Sequence, residues 1–189
     1  MTKGVDIEVQ MGAEEICATY SARARAELLA ADALAPGADV VSWRGNTFAQ
    51  VAVVKGLPGP AEASGGAALS GVDGDAAVKA LVALGYAEEY IFFTISRPSP
   101  GIGIPRLALR LRAQIEAVDP SLILAIDREA AADVAAGFGV ESPAFGQETW
   151  VLGRRIVAVD GLEASLSEPA RKRRVWEQLK AARAEGPAY

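Results

Sequence analysis

Four short apolar segments, separated by helical stretches, most constrain what this chain can form. Each segment is rich in valine, isoleucine, leucine or phenylalanine and is bounded by glycine, proline or polar residues. Uninterrupted apolar runs of this length are typical of strands that are buried on both faces of a parallel sheet. The predicted strands cover residues 48–54, 90–95, 121–126 and 156–159.

Helical patterns alternate with these strands. The predicted helices cover residues 12–34, a stretch from Asp73 or Asp75 to Gly85, and residues 106–117, 128–136 and 169–184. This alternation predicts an α/β fold, a three-layer αβα sandwich with a mainly parallel, four-stranded central sheet. The length of 189 residues is that of a single domain. We expect an N-terminal helical segment over residues 1–45 and an α/β core over residues 46–184.

The composition excludes several kinds of site. The chain has one cysteine, Cys17, and no histidine, so neither a disulfide nor a zinc site of the usual kind is expected. We expect no metal and no cofactor. The net charge of −5 argues against tight, non-specific binding of nucleic acid. A basic block at residues 171–174 runs against this trend, and it is either a solvated helix face or a binding patch.

Membrane insertion is not expected either. The longest apolar runs are far shorter than the roughly 20 residues that a membrane-spanning helix needs. No basic-then-apolar signal segment opens the chain, which predicts a cytoplasmic location.

A glycine-rich loop over residues 56–74 is the first of four motif-like segments. The next are IFFTISRPSP, then IEAVDPSLILAIDREAAADVAAGFG, then the stretch from RIVAV to WEQLK. In this order they resemble the motif regions of the uracil-DNA glycosylase superfamily, in particular its bacterial and archaeal iron–sulphur type. The resemblance covers about residues 47–182 and implies that family's αβα fold. Loop positions in register with the family pattern are Pro58, Gly59, Glu62, Gly66, Gly71 and Gly74.

The chain departs from the family where the family does its chemistry. The resemblance implies that Gly56 replaces the acidic residue associated with the attacking water and that Gly161 replaces the histidine that stabilises the departing base. It also implies that Leu69 replaces the aromatic residue that stacks on the base, and Phe92 the asparagine that reads uracil. Ser96 stands at a cluster cysteine, so no iron–sulphur cluster is expected. Excision needs base recognition and charge stabilisation, so we do not expect it by the family mechanism.

Two functions of different classes remain open. In the first, the crevice beyond the carboxyl ends of the strands, where α/β sheets of this kind bind ligands, still binds a nucleobase, a nucleotide or DNA. In the second, Leu69 and Phe92 seal the crevice, and the chain is a non-enzymatic interaction or scaffold domain with a protein partner. The ligand-binding residues of the first hypothesis are Lys55, Gly56, Pro58, Gly59, Gly66 and Gly71, with Ser96, Arg97 and Gly161 also at the crevice.

A third hypothesis is a diverged hydrolase that uses carboxylates at strand ends. Asp127 and Asp160 each follow a predicted strand, and with Lys55 they are candidates for acid–base chemistry. The alternative for both aspartates is capping of the helix or turn that follows. The alternative for Lys55 is an exposed junction residue.

Overall fold

The computed structural model describes residues 3–35, 40–99 and 103–184. Pro100, the last residue of the second motif segment, lies outside these residues. Within them, every helix is too short or too polar to cross a lipid bilayer.

Within the residues that the structure describes, six strands form one mixed sheet. They are β1 (Arg44–Gly45), β2 (Val51–Lys55), β3 (Ile91–Ile95), β4 (Leu122–Ala125), β5 (Glu148–Val151) and β6 (Arg154–Ala158). Their order across the sheet is β1-β3-β2-β4-β6-β5. The inner strands β3, β2, β4 and β6 are parallel, and β1 and β5 pair antiparallel at the two edges.

The prediction of a mainly parallel four-stranded sheet is therefore wrong in the number of strands and in leaving out the antiparallel edges. The four inner strands lie where the apolar runs predicted them. The edge strands lack such runs, because β1 has two residues and β5 is mostly exposed. The turn between β5 and β6 places Leu152 and Gly153 at φ of 48° and 79°, as in a tight hairpin of the primed type.

Helices cover both faces of the sheet. They are α1 (Lys3–Asp32), α2 (Pro60–Ala63), α3 (Val72–Ala83), α4 (Ile104–Val118), α5 (Arg128–Phe138), α6 (Leu162–Ser165) and α7 (Pro169–Leu179). Alternate side chains of a strand point to opposite faces. Val51 and Val53 of β2 accordingly join an apolar cluster with α3, α6 and α7. Ala52 and Val54 join clusters with α1, α4 and α5 on the other face, which gives three layers.

A buried polar network fastens α1 to the sheet. Arg110 of α4 is fully buried and donates to Asp32 of α1 at 3.0 Å and to the carbonyl oxygen of Ile95 at 2.9 Å. Gln114 donates to the same Asp32 oxygen at 2.8 Å and accepts from Thr94 at 2.7 Å. Burial lowers the pKa of Arg110, and the Asp32 carboxylate opposes that shift. Asp32 is thus the counter-ion of a buried guanidinium.

Candidate functional site

A cavity of about 330 Å³ lies beyond the carboxyl ends of β2, β4 and β6. Ligands of open α/β sheets bind at this edge. We call it the strand-end cavity, and its polar side chains and loop positions are Lys55, Pro58, Asp127, Glu129, Gly161 and Glu163. Of the residues that the sequence assigned to the crevice, Lys55, Pro58, Asp127 and Gly161 line this cavity, and Glu129 and Glu163 line it as well.

Lys55, the last residue of β2, is buried within a cluster of carboxylates. Its Nζ lies 2.6 Å from Asp73 Oδ2, 3.0 Å from Glu163 Oε2 and 3.6 Å from Glu62 Oε2. Only 5% of the Lys55 side chain is exposed, so its interpretation as an exposed junction residue is wrong. Burial acts to lower the pKa of Lys55, but the hydrogen bonds to Asp73 and Glu163 outweigh it and the pKa is raised. The ammonium is thus charged and already neutralised.

Glu62 organises the loop that follows Lys55. Its Oε1 accepts a hydrogen bond from the Leu69 backbone N–H at 2.7 Å, and its Oε2 accepts one from the Gly59 N–H at 2.8 Å. The Glu62 side chain is 1% exposed. A buried carboxylate that accepts hydrogen bonds from two backbone N–H groups and lies beside an ammonium strongly stabilises one conformation of the loop. The loop is therefore built around an internal ionic centre.

Contacts inside the protein account for the glycines of this loop. A Cβ on Gly56 would lie 2.5 Å from Glu129 Cβ and 2.6 Å from Asp127 Oδ1. A Cβ on Gly59 would lie 2.6 Å from Lys55 Nζ. Gly56 thus leaves no room for the acidic side chain that the family pattern has there. These glycines are needed for close packing of the loop, whether or not a ligand approaches it.

None of the predicted glycines of the loop, Gly56, Gly59, Gly66 and Gly71, lines the strand-end cavity. A Cβ on Gly66 would lie 2.8 Å from the carbonyl oxygen of Ala61, and one on Gly71 would lie 3.2 Å from Ala61 Cβ. Both positions therefore pack against α2 and are separate from the strand-end cavity.

Asp127 caps α5 and holds the loop at the same time. Its Oδ1 accepts from the Ala130 N–H at 2.8 Å, and its Oδ2 accepts from the Gly56 N–H at 2.8 Å. Burial raises the pKa of Asp127, while these two backbone hydrogen bonds act to lower it. The capping interpretation describes this side chain well, because each of its oxygens already has a backbone donor.

Asp160 does not line the strand-end cavity. Its backbone N–H donates to Gln178 Oε1 at 2.9 Å, and its carbonyl oxygen accepts from Arg171 Nε at 3.3 Å. Its carboxylate lies 3.9 Å from a terminal nitrogen of Arg171. The hydrolase hypothesis needs Asp127 and Asp160 at one cavity, and the structure does not bring them together there.

Ser96 and Arg97 share a partner that the sequence did not reveal. Ser96 Oγ donates to Asp133 Oδ2 at 2.6 Å. Arg97 donates to both oxygens of Asp133, at 2.8 and 2.9 Å. Asp133 is buried on α5, and its hydrogen bond raises the pKa of Arg97. This bidentate pair holds the Arg97 guanidinium against α5.

Leu69 and Phe92 are both fully buried, but they lie on opposite faces of the sheet. Leu69 belongs to the apolar cluster with α3, α6 and α7, and its φ is 51°. Phe92 packs with Leu28 of α1, and its ring centroid is 5.6 Å from that of Trp43. The expectation that these two residues together seal one crevice is therefore not met. Neither of them lines the strand-end cavity.

Gly161 precedes α6 at the edge of the cavity. Its φ of 78° is in the left-handed region, which a residue with a Cβ adopts at a cost. A Cβ there would lie 3.1 Å from a terminal nitrogen of Arg171. A histidine side chain is therefore disfavoured at this position.

The sequence did not predict that Lys55 pairs with its acidic partners. Glu62 and Asp73 lie within the glycine-rich loop and its following helix, and Glu163 lies on α6. A lysine at the end of an apolar strand, followed by Glu62 and Asp73 in the same loop region, was the available signal. The sheet order that brings α6 beside the loop could not be obtained from that pattern.

Comparison with known proteins adds no assignment to these observations. No protein-family model matches the chain, and no curated protein matches it significantly. What the chain does has to follow from its own residues.

Proposed function

We propose that this chain is a uracil-DNA glycosylase-like domain that does not excise bases and acts as a protein-interaction domain. The observation that carries the proposal is the burial of Lys55 among Asp73, Glu163 and Glu62. The cation best placed to bind a phosphate at the strand ends is used to hold the protein's own loop.

The charge of the strand-end cavity supports the same conclusion. One ammonium faces three carboxylates, so the ionised cluster carries two surplus negative charges. Asp127 and Glu129 line the same cavity. Binding of nucleic acid depends on neutralising phosphates with Lys and Arg. An acidic cavity repels them instead.

The polar side chains at the strand ends that could take over the chemistry of excision already have partners within the protein. Both oxygens of Asp127 accept backbone hydrogen bonds, and Arg97 is paired with Asp133. The cavity-lining position Gly161 supplies no side chain to stabilise a departing base anion. Interaction with a protein needs none of these groups at the cavity.

Two assays on the whole chain test this proposal. The first follows alkali-labile abasic sites in an end-labelled oligonucleotide that contains uracil, and we expect none. The second follows fluorescence anisotropy of the same oligonucleotide at low and high salt, and we expect no salt-sensitive binding.

Charge variants connect the assays to the cavity. Glu163→Gln removes a carboxylate that lies 3.0 Å from Lys55, and Glu141→Gln is an exposed control with the same charge change. Excision, or oligonucleotide binding that Glu163→Gln changes and Glu141→Gln does not, would overturn the proposal.

A further inference from the structure

We infer that the groove between α3, α6 and α7 binds an acidic, amphipathic helix of a partner protein. This inference rests on the proposed function, because it names the surface and the kind of partner for a protein-interaction domain. The groove lies apart from the strand-end cavity and shares none of its lining residues.

The groove is apolar and of a size that takes side chains. Its volume is about 330 Å³. Leu162, Val175 and Leu179 are buried beneath it, and Ala80 of α3 and Trp176 of α7 stand on its two sides. A helix docks in such a groove by inserting apolar side chains that recur at a spacing of one turn.

One wall of the groove carries small side chains, and the opposite wall carries a large one. Ala76 and Ala80 lie one turn apart on α3, where their short side chains leave room for a second helix. Trp176 on the opposite wall is 36% exposed. Half-exposed tryptophans beside a buried apolar floor are frequent anchors of protein interfaces.

The rim of the groove is basic. Lys172 and Arg173 line the groove, and Arg174 follows them outside it. Within the described residues, no carboxylate forms an ion pair with any of these three side chains, whereas Arg171 lies 3.9 Å from Asp160. The basic block lies in the first two turns of α7, where the helix dipole disfavours cations. A partner with acidic side chains supplies the missing charge.

The apolar floor favours a peptide over a nucleic acid. A nucleic-acid backbone would satisfy Lys172 and Arg173 but would leave the side chains beneath the groove without apolar partners. An amphipathic helix satisfies both, with its apolar face on Val175 and Leu179 and its acidic flank against the rim. The apolar floor and the basic rim together therefore favour an acidic, amphipathic helix as the ligand of the groove.

The probe that tests this inference is a fluorescein-labelled peptide of about 18 residues, or about five helical turns. It carries leucines along one face and glutamates on the flanks. A second peptide keeps the leucines and replaces each glutamate by lysine. We expect the acidic peptide to raise the anisotropy on titration with the whole chain, and the basic peptide to bind at least about ten-fold more weakly.

Matched variants locate the binding. Ala80→Glu places a charge in the groove, and Val82→Glu places the same charge on an exposed position of α3 outside it. Lys172→Glu reverses a rim charge, and Arg174→Glu reverses a charge beyond the rim. We expect Ala80→Glu and Lys172→Glu each to weaken binding by about ten-fold or more, and the two controls to weaken it far less. Circular dichroism confirms that each variant is folded.

Each outcome decides between specific alternatives. Absence of acidic-peptide binding, equal binding of both peptides, or equal effects of test and control variants would overturn the groove as the site. Oligonucleotide binding that Lys172→Glu abolishes would assign the basic rim to nucleic acid and would overturn the inference that the partner is a helical peptide. Excision, or oligonucleotide binding sensitive to Glu163→Gln, would overturn the proposed function and would leave the peptide result unaffected.

Discussion

The Lys55 ammonium donates to the Asp73 carboxylate at 2.6 Å, and both side chains are at most 5% exposed. The pair joins the end of a central strand to the first turn of α3 across the glycine-rich loop. Because the charges are taken out of water, each depends on the other for compensation. This relationship turns a loop with the composition of a ligand-binding loop into a structural one.

Asp73→Asn tests that role. Removal of one partner of a buried pair costs about 3 kcal/mol or more, although Glu163 and Glu62 remain to offset part of the loss. We expect the urea midpoint of unfolding to fall clearly. The exposed Asp75→Asn, on the same turn of α3, is the control and should change it little. Equal midpoints for the two variants would contradict a structural role for the pair.

Asp127 gives a prediction about pH. Its pKa is raised in the folded state from an ordinary value of 3.8, so the folded protein binds the proton more tightly than the unfolded chain. Its contribution to stability is therefore largest at acidic pH and is lost as the pH rises from about 3.8 through the raised pKa. The Asn variant does not titrate at this position.

As the pH rises from about 3.8 through the raised pKa of Asp127, we therefore expect the unfolding free energy of the wild type to fall relative to that of Asp127→Asn. At neutral pH the variant keeps one acceptor for two backbone donors and loses about 1 kcal/mol of capping. Urea titrations at several pH values measure the difference. A difference that does not change with pH would show that the folded and unfolded pKa values coincide.

The Gly161 position yields a prediction about both stability and activity. Gly161→His introduces a Cβ at a φ of 78° and brings it to 3.1 Å from Arg171, at a cost of roughly 1–2 kcal/mol. We also expect the variant not to produce abasic sites in the uracil oligonucleotide, because Gly56 still lacks its acidic side chain. Gly12→Ala, on α1 with open space around it, is the control and should not destabilise. Excision by Gly161→His would refute our account of the cavity.

The sequence predicted the parts of this structure that depend on local apolar pattern. The inner strands are buried on both faces, so uninterrupted runs such as the one over residues 121–126 marked them. The edge strand β5 carries Glu148 and the exposed Trp150, so it contains no uninterrupted apolar run by which it could be recognised. Position at the strand ends was predictable for Lys55 and Asp127, because any parallel sheet places strand ends together.

The partners of those residues were not predictable. Asp73 and Glu163 meet Lys55 because α3 and α6 lie on the same face of the sheet, and that depends on strand order. The burial of Lys55 has the same origin, since a lysine at a strand end is exposed unless neighbouring elements cover it. Phe92 was placed at the crevice by resemblance alone, whereas its register in β3 points it toward α1.

Asp32 provides the last prediction, because it is the counter-ion of a guanidinium that is fully buried. Asp32→Asn leaves Arg110 charged within the protein without a carboxylate, and loss of one partner from such a pair costs about 3–5 kcal/mol. The amide that replaces the carboxylate keeps one oxygen acceptor for Gln114 and Arg110, so the loss is chiefly that of the negative charge opposite the buried guanidinium. Glu27→Gln, in the exposed pair with Arg23 on the same helix, is the matched control and should leave the urea midpoint nearly unchanged. Hydrogen exchange should show the loss of protection concentrated in the C-terminal half of α1, and uniform loss over the sheet would contradict the view that Asp32 fastens this helix.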